Sequence, residues 1–547
     1  MLPLLSLLAL GILGFALRLL GQSPVGHDAR IEDDHAIQRW IGNASRWNFL
    51  AAESREIELR PRGFMGYWFG EVWLGMAVAG SVQWPLAQWR ASFNVLPALI
   101  RPEEAAAMKN LLVEAPDDFD EDIDGVDKMI TYEFVIASAG AQKAHDPVRE
   151  KLRQRLLDIT VPIIRSRIEP FVKQRYPKAG AVCHSMIRRY LLNERRTHNT
   201  HWDIPSYVSV VVSLDSAGQD FDGGFFVTTG AGEQSFIPLQ RGDTVIHQSD
   251  LLHGVHVQRG ERWSWAMWFQ DSDDCSSEAA DWWREEAQLG DPVAQTLRAM
   301  RARTADESWA WLESAAKTGF PRAQLYFGKA HEDGANYGRQ KDFQQAAYWY
   351  NQARAGGELD SSHFLGLLER SRGNITGATQ LFKEGAAAGD PNAMGQLALA
   401  YEHGSGGLSA DLDLATSWAE KAADFTPEAM HHCYELHLQA TPRRPANKSL
   451  AEHYLERAAR MGSTKSMLKF IEPLARSKRW EELVPWLLRI DTKASLAQFV
   501  KLHQSGVRIG RFTLFRAEQT LQGLAEQGFD DAQQLLQQLR AGRTAEL

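Results

Sequence analysis

From about residue 290 onward the sequence copies itself. Segments with one Ala-rich, glycine-closed ending recur: Ser314-Ala-Ala-Lys-Thr-Gly319, Gln352-Ala-Arg-Ala-Gly356, Gly385-Ala-Ala-Ala-Gly389, Arg457-Ala-Ala-Arg-Met-Gly462 and Gly523-Leu-Ala-Glu-Gln-Gly528. The closing glycines are 37, 33, 73 and 66 residues apart, and the last two spacings are near double the others, so the unit is about 35 residues. A period of that size means one supersecondary unit repeated along the chain, each copy burying its apolar face on the next. Within a unit the apolar residues fall at helical spacing, as in Met394, Leu397, Ala398, Tyr401 and then Ala415, Trp418, Ala419, Ala422. Small residues let paired helices approach closely, and a terminal glycine suits a left-handed cap. The chain must therefore contain an all-α solenoid over 290–540.

The pattern Ala-Met-x-Gln-Leu-Ala-Leu-Ala-Tyr-x-x-Gly from Ala393, followed by Ala-x-x-Trp-x-x-Lys-Ala-Ala from Ala415, resembles Sel1-like repeats, relatives of the tetratricopeptide class. The units after Gly462 are degenerate. The resemblance implies a surface that binds protein partners. No catalytic cluster stands out in this half; His331-Glu-Asp333 and the His431-His432 pair read as incidental.

A 547-residue chain is too long for one compact domain, so the residues before 290 hold something else. Net charge −9 and a pI near 6.0 argue against a basic nucleic-acid binder. Three cysteines, Cys183, Cys275 and Cys433, allow one bridge at most and no zinc ribbon. Residues 1–23 are apolar for about 17 positions and read as a signal peptide or signal anchor, which directs the chain to the secretory pathway (endoplasmic reticulum lumen or membrane) or an organelle. Residues 24–91 are Trp-rich. Within them 64–84, with Trp68, Trp73 and Trp84 around Glu71, reads either as a membrane span or as a buried or interfacial helix, so membrane anchoring by the N-terminus stays open.

The stretch between these regions has β character. Ser185–Leu191, Tyr207–Leu214, Phe225–Thr229, Asp243–His247 and Trp263–Phe269 read as strands, with helices around 103–113 and 148–174. Short strands with helical support predict a jelly roll, the double-stranded β-helix. In His201-Trp-Asp203 an extended backbone turns imidazole and carboxylate to one side. A third ligand from another strand would complete a two-His-one-carboxylate set with open positions, which suits non-haem Fe(II). Such a triplet arises readily by chance, and its context gives it weight. His253 follows Asp203 by 50 residues, and Arg262 follows His253 by nine, a cation able to pair bidentately with a carboxylate. His247 and His256 compete with His253 for the third position and read as ordinary strand histidines; His184 and His198 match no motif position. Asp120-Glu-Asp122-Ile-Asp124-Gly125 copies the start of a calcium loop, but Thr131 stands where that loop needs a bidentate glutamate, so it reads as a solvated acidic loop.

The ordered series Phe93-Asn-Val-Leu-Pro-Ala-Leu-Ile-x-x-Glu-Glu, Tyr190, His201-x-Asp203, Asp222-Gly-Gly224, Gly242-Asp243, His253-Gly-Val and Gly260-x-Arg262 resembles the prolyl 4-hydroxylase class of 2-oxoglutarate- and Fe(II)-dependent dioxygenases over 92–271. The resemblance implies iron ligation by His201, Asp203 and His253, and pairing of Arg262 with the distal carboxylate of 2-oxoglutarate. It also implies a hydrogen bond from Tyr190 to that co-substrate. Fe(II), 2-oxoglutarate, O2 and ascorbate are the implied cofactors, and hydroxylation of a C–H bond in a peptidyl, prolyl-type substrate the implied activity. A small-molecule hydroxylase of the same chemistry, or an inactive oxygenase fold serving as a repeat scaffold, are the alternatives.

Overall fold

The computed structural model describes residues 55–58, 92–138, 147–204, 206–228, 234–273, 275, 282–490, 493–507, 509, 511–526 and 530–543. The N-terminal targeting segment and the 64–84 stretch lie outside them. Among the described residues no helix is long and apolar enough to cross a membrane. The described residues all belong to one compact unit, Ala52–Leu547.

Twelve strands are described: β1 (Arg55–Glu58), β2 (Ser92–Leu96), β3 (Asp120–Ile123), β4 (Ile130–Ser138), β5 (Val182–Tyr190), β6 (Thr197–His201), β7 (Val208–Ser213), β8 (Phe221–Val227), β9 (Ser235–Phe236), β10 (Thr244–Gln248), β11 (His253–Gly260) and β12 (Arg262–Phe269). A large sheet runs β1-β2-β10-β7-β12-β5-β4-β3 and a small one β6-β11-β8-β9. All the strand pairs are antiparallel. From β5 onward the chain passes back and forth between the two sheets, the winding of a jelly roll. The large sheet begins earlier than residue 92, because Arg55–Glu58 pairs with β2 at its edge.

Period-two alternation makes each face of the large sheet do a different job. On β12, Trp263, Trp265, Met267 and Phe269 join a core with Met108, Leu112, Leu152 and Leu156 from the helices Pro102–Val113 and Pro147–Ile163. The other face meets the small sheet, where Phe93, Val245 and Leu251 pack with Phe225 and Val227. β6 is shorter than expected. It ends at His201, so Asp203 lies just past the strand rather than within it.

Helices alone follow, from Trp282 to Arg543 among the described residues. Their starts are capped by side chains accepting backbone N–H groups, including Asp291, Thr304, Asn374, Asp390, Asp411, Thr426, Asn447 and Ser463. Gly319, Gly389 and Gly462 close their units at φ 94°, 100° and 105°; in the second unit the left-handed residue is Gly357, one position beyond the expected Gly356.

The acidic run 120–127 is not a solvated loop. It forms β3 and the turn into β4, and arginines neutralise it. Asp120 pairs with Arg149 at 2.8 Å, and Glu121 receives Arg489 at 2.6 Å and Arg516 at 3.2 Å from the helical array. Asp124 and Asp127 share the buried Arg195, at 3.3 and 2.6 Å. Met129 at the end of the turn sits among Ala398, Ala415, Ala419 and Met430 of the array. Further along this edge the Ile130 N–H donates to the Met461 carbonyl at 3.2 Å, and the Tyr132 hydroxyl to that of Arg460 at 3.2 Å. The repeat-closing loops thus dock onto the sheets. Removing one member of a buried ion pair strands its partners, so Glu121→Ala should cost about 3 kcal/mol of stability in a chemical denaturation series.

Candidate metal centre

Strand register brings the site together. His253 opens β11 directly opposite His201, the last residue of β6, and Asp203 follows two residues on. The three residues are 8%, 7% and 4% exposed in chain order. His201 Nε2 lies 3.4 Å from Asp203 Oδ1, and His253 Nε2 lies 3.6 Å from Asp203 Oδ2. One donor atom from each residue falls within 4.8 Å of the others. Both imidazoles present the same nitrogen for the same reason. His201 Nδ1 donates to the Asn199 carbonyl at 2.7 Å and His253 Nδ1 to that of Leu251 at 3.0 Å, which leaves each Nε2 lone pair facing Asp203. Burial pushes the His253 imidazole well below its ordinary range, so it stays neutral. Two imidazole Nε2 atoms and one carboxylate turned toward one another are a donor set that can hold a divalent cation such as Fe(II).

The other histidines separate on the same criterion. His198 stacks on His201 at 3.9 Å, but its Nδ1 accepts from Arg188 at 2.7 Å and its Nε2 lies 3.0 Å from Asp124 rather than against Asp203. His256 points away from the centre, with Nδ1 3.1 Å from Gln234 Oε1 and its ring 4.7 Å from that of Phe425. In the array, His431 bonds Ser466 at 2.8 Å and His432 bonds Glu402 at 2.7 Å, each tying neighbouring helices together. His247 is different. Its ring lies 4.5 Å from that of His253, inside the space between the sheets.

Arg262 stands on β12 in the large sheet, across from the small sheet that carries the two histidines. Its register partner is Tyr190 on β5. The guanidinium is 0% exposed; Nη1 donates to Ser264 Oγ at 3.2 Å, while Nε and Nη2 have no partner. The rings of Tyr190 and Phe221 lie about it, 6.0 and 5.8 Å from its central carbon. Both rings pack with Val255 and Val257, the inward-facing residues that follow His253 on β11. An arginine sealed in such surroundings with two donating nitrogens unused can take up a small anion.

A cavity of about 600 Å³ opens beside His201 and Asp203. Sheet residues Glu133, His184, Arg188 and Trp268 line it, with Trp202 and Asp124. Its remaining wall comes from the helical array: Met300, Arg301, Arg322 and Tyr326. Arg322 lies over the Trp202 ring at 5.8 Å and is fixed by Glu358 at 2.7 Å. Sequence reading assigned none of these residues to a site. His184 and Arg188 had a signal, since period two from Tyr190 along β5 puts them on the same face. The array residues had none.

Comparison with known proteins bears on the two halves separately. The Sel1 repeat model matches residues 321–358, 391–424 and 433–463. These segments are Sel1 repeats. A Sel1 repeat protein from Oxalobacter formigenes is 25% identical, with 32% of this chain and 74% of that one covered and a TM-score of 0.30. A 2OG-Fe(II) oxygenase family oxidoreductase from Burkholderia pseudomallei is 22% identical over 34% of this chain and 87% of that one, with a TM-score of 0.26. A Pseudomonas putida prolyl-4-hydroxylase is 12% identical over 32% and 91%, with a TM-score of 0.23. No curated protein matches the chain.

His201→Ala, Asp203→Ala and His253→Ala should each weaken Co(II) binding by more than about 100-fold in calorimetric titration, whereas His256→Ala should leave it unchanged.

Proposed function

We propose that this chain is an Fe(II)- and 2-oxoglutarate-dependent dioxygenase that hydroxylates a C–H bond of a peptidyl, prolyl-type substrate. The observation that carries the reading is the buried guanidinium of Arg262, with two nitrogens unpartnered, on the same inter-sheet space as the three converged ligands. Three converged ligands by themselves suit many divalent cations, and a sealed guanidinium by itself suits any small anion. Together they match a keto-diacid held at both ends. His201, Asp203 and His253 would hold the iron, which with O2 supplies the oxidising power while 2-oxoglutarate leaves as succinate and CO2.

The chain's own residues do the rest. Arg262 offers two parallel N–H donors to the distal carboxylate, and Ser264 fixes its third nitrogen. Tyr190, beside it, would donate to the same group. Val255, Val257 and Phe221 keep water from the path between anion site and ligands, which strengthens the Arg262 charge. The rings of Trp202, Trp268 and Tyr326 offer apolar surface suited to a pyrrolidine ring. With the array as one wall, the cavity suits a side chain on an extended segment, or a small molecule, rather than a folded domain. Ascorbate belongs to the proposal as the reductant that keeps iron in the ferrous state.

The disulfide Cys183–Cys275 supports placing the chain in an oxidising compartment of the secretory pathway, with the N-terminal segment as signal or anchor. Sel1 repeats generally mediate protein–protein contacts, and the repeat surface left free by the docked edge would serve partners here.

The test is turnover. The full chain with Fe(II) and O2 should convert 2-oxoglutarate to succinate slowly without substrate. Arg262→Ala should raise the 2-oxoglutarate KM by about 100-fold, with partial recovery in Arg262→Lys. Pro-containing peptides should accelerate succinate formation and gain one oxygen atom by mass; acceleration by small molecules alone would move the substrate assignment, and no turnover with iron bound would leave the scaffold.

A further inference from the structure

His247 reaches the centre from the opposite sheet. It sits on β10 in the large sheet, and its imidazole is 0% exposed. Nδ1 lies 2.8 Å from the Gln248 carbonyl, so the proton resides there and the Nε2 lone pair is bare. That Nε2 has no hydrogen-bond partner. It faces Asp203 Oδ2 at 3.9 Å, with the His253 ring 4.5 Å and the Phe225 ring 6.2 Å from its own. Two buried acceptors, a bare nitrogen and a carboxylate oxygen, confront each other with no donor between them. An unsatisfied buried acceptor costs about 1–3 kcal/mol, so a protein retains one where something else fills the gap. His247 is not part of the set whose donor atoms all lie within 4.8 Å, which places it beside the ligands rather than among them.

We propose that His247 Nε2 accepts a hydrogen bond from a protic group held at an open position of the metal centre, water when no other ligand is present. The inference rests on the metal reading above and adds to it a second anchor. One coordination position is then biased toward ligands that carry a proton, and the loaded centre is tied to both sheets. The role needs an acceptor at this place, not merely a ring. Glutamine, whose amide oxygen accepts, should replace histidine; phenylalanine, which fills the space, should not.

The experiment uses the full chain and Co(II). His247→Phe should weaken Co(II) binding by about 10-fold or more and change the visible absorption of the bound metal, while His247→Gln stays within about threefold, with thermal melts confirming that both variants fold. If His247→Phe binds as the wild type does and His247→Gln does not, the residue only packs, and the inference is overturned. Pulsed EPR of the Cu(II)-loaded protein should count two imidazole nitrogens in wild type and in His247→Phe; a third nitrogen, lost in that variant, would show direct ligation and overturn it also. His201→Ala and Asp203→Ala are the separate control. Should they bind Co(II) normally, the metal reading falls; should they lose it while His247→Phe does not, only the role of His247 falls.

Discussion

The acidic hairpin between β3 and β4 holds the two halves of the unit in one arrangement. It carries carboxylates at Asp120, Glu121, Asp122, Asp124 and Asp127 on eight residues, a density that would repel itself if left unpaired. Arginines from three directions make it a joint. Arg149 comes from the supporting helix, Arg195 from the segment before β6, and Arg489 and Arg516 from the far end of the array. The tip then inserts Met129 between helices of the repeats. Such pairs contribute little net stability over an apolar contact, but they penalise misplacement heavily, because any shift leaves a buried charge alone. The joint thereby fixes where the array lies relative to the sheets.

That placement shapes the centre. Asp124 faces His198, and His198 stacks on His201, so the same hairpin that anchors the array backs a candidate ligand. Phe320 and Arg322, at the start of a repeat helix, meet Trp202, the residue between His201 and Asp203. The repeats therefore act as a wall of the cavity as well as an array. A repeat edge that docks on its own chain also differs from the wholly free recruiting surface that a Sel1 pattern suggests by itself.

The legible parts of the fold were those with local causes. Helix period and glycine spacing announced the solenoid, and β-branched and aromatic residues announced β5, β7 and β12. β11 was less visible, since His-Gly-Val-His-Val-Gln-Arg-Gly has little β-propensity and becomes a strand only between β6 and β8. The acidic run misled because sequence shows charge without showing its partners, and Arg489 and Arg516 lie more than 360 residues away. His247 looked ordinary for a similar reason: its neighbours across the sheets are distant in sequence, apart from His253.

What the sequence by itself determined was a chemistry and an architecture: imidazole, carboxylate and guanidinium at ordered spacings, and a helical repeat of about 35 residues. These are local or near-local properties, written in periodicity and motif. Only the tertiary structure decided which nitrogens face the centre and which are spent on carbonyls and arginines. It alone left Arg262 sealed with unused donors, set His247 against Asp203, and made repeat residues part of the cavity wall. Those outcomes depend on which groups remain unpaired after the sheets and the array have packed, and pairing across such separations is a property of the folded chain.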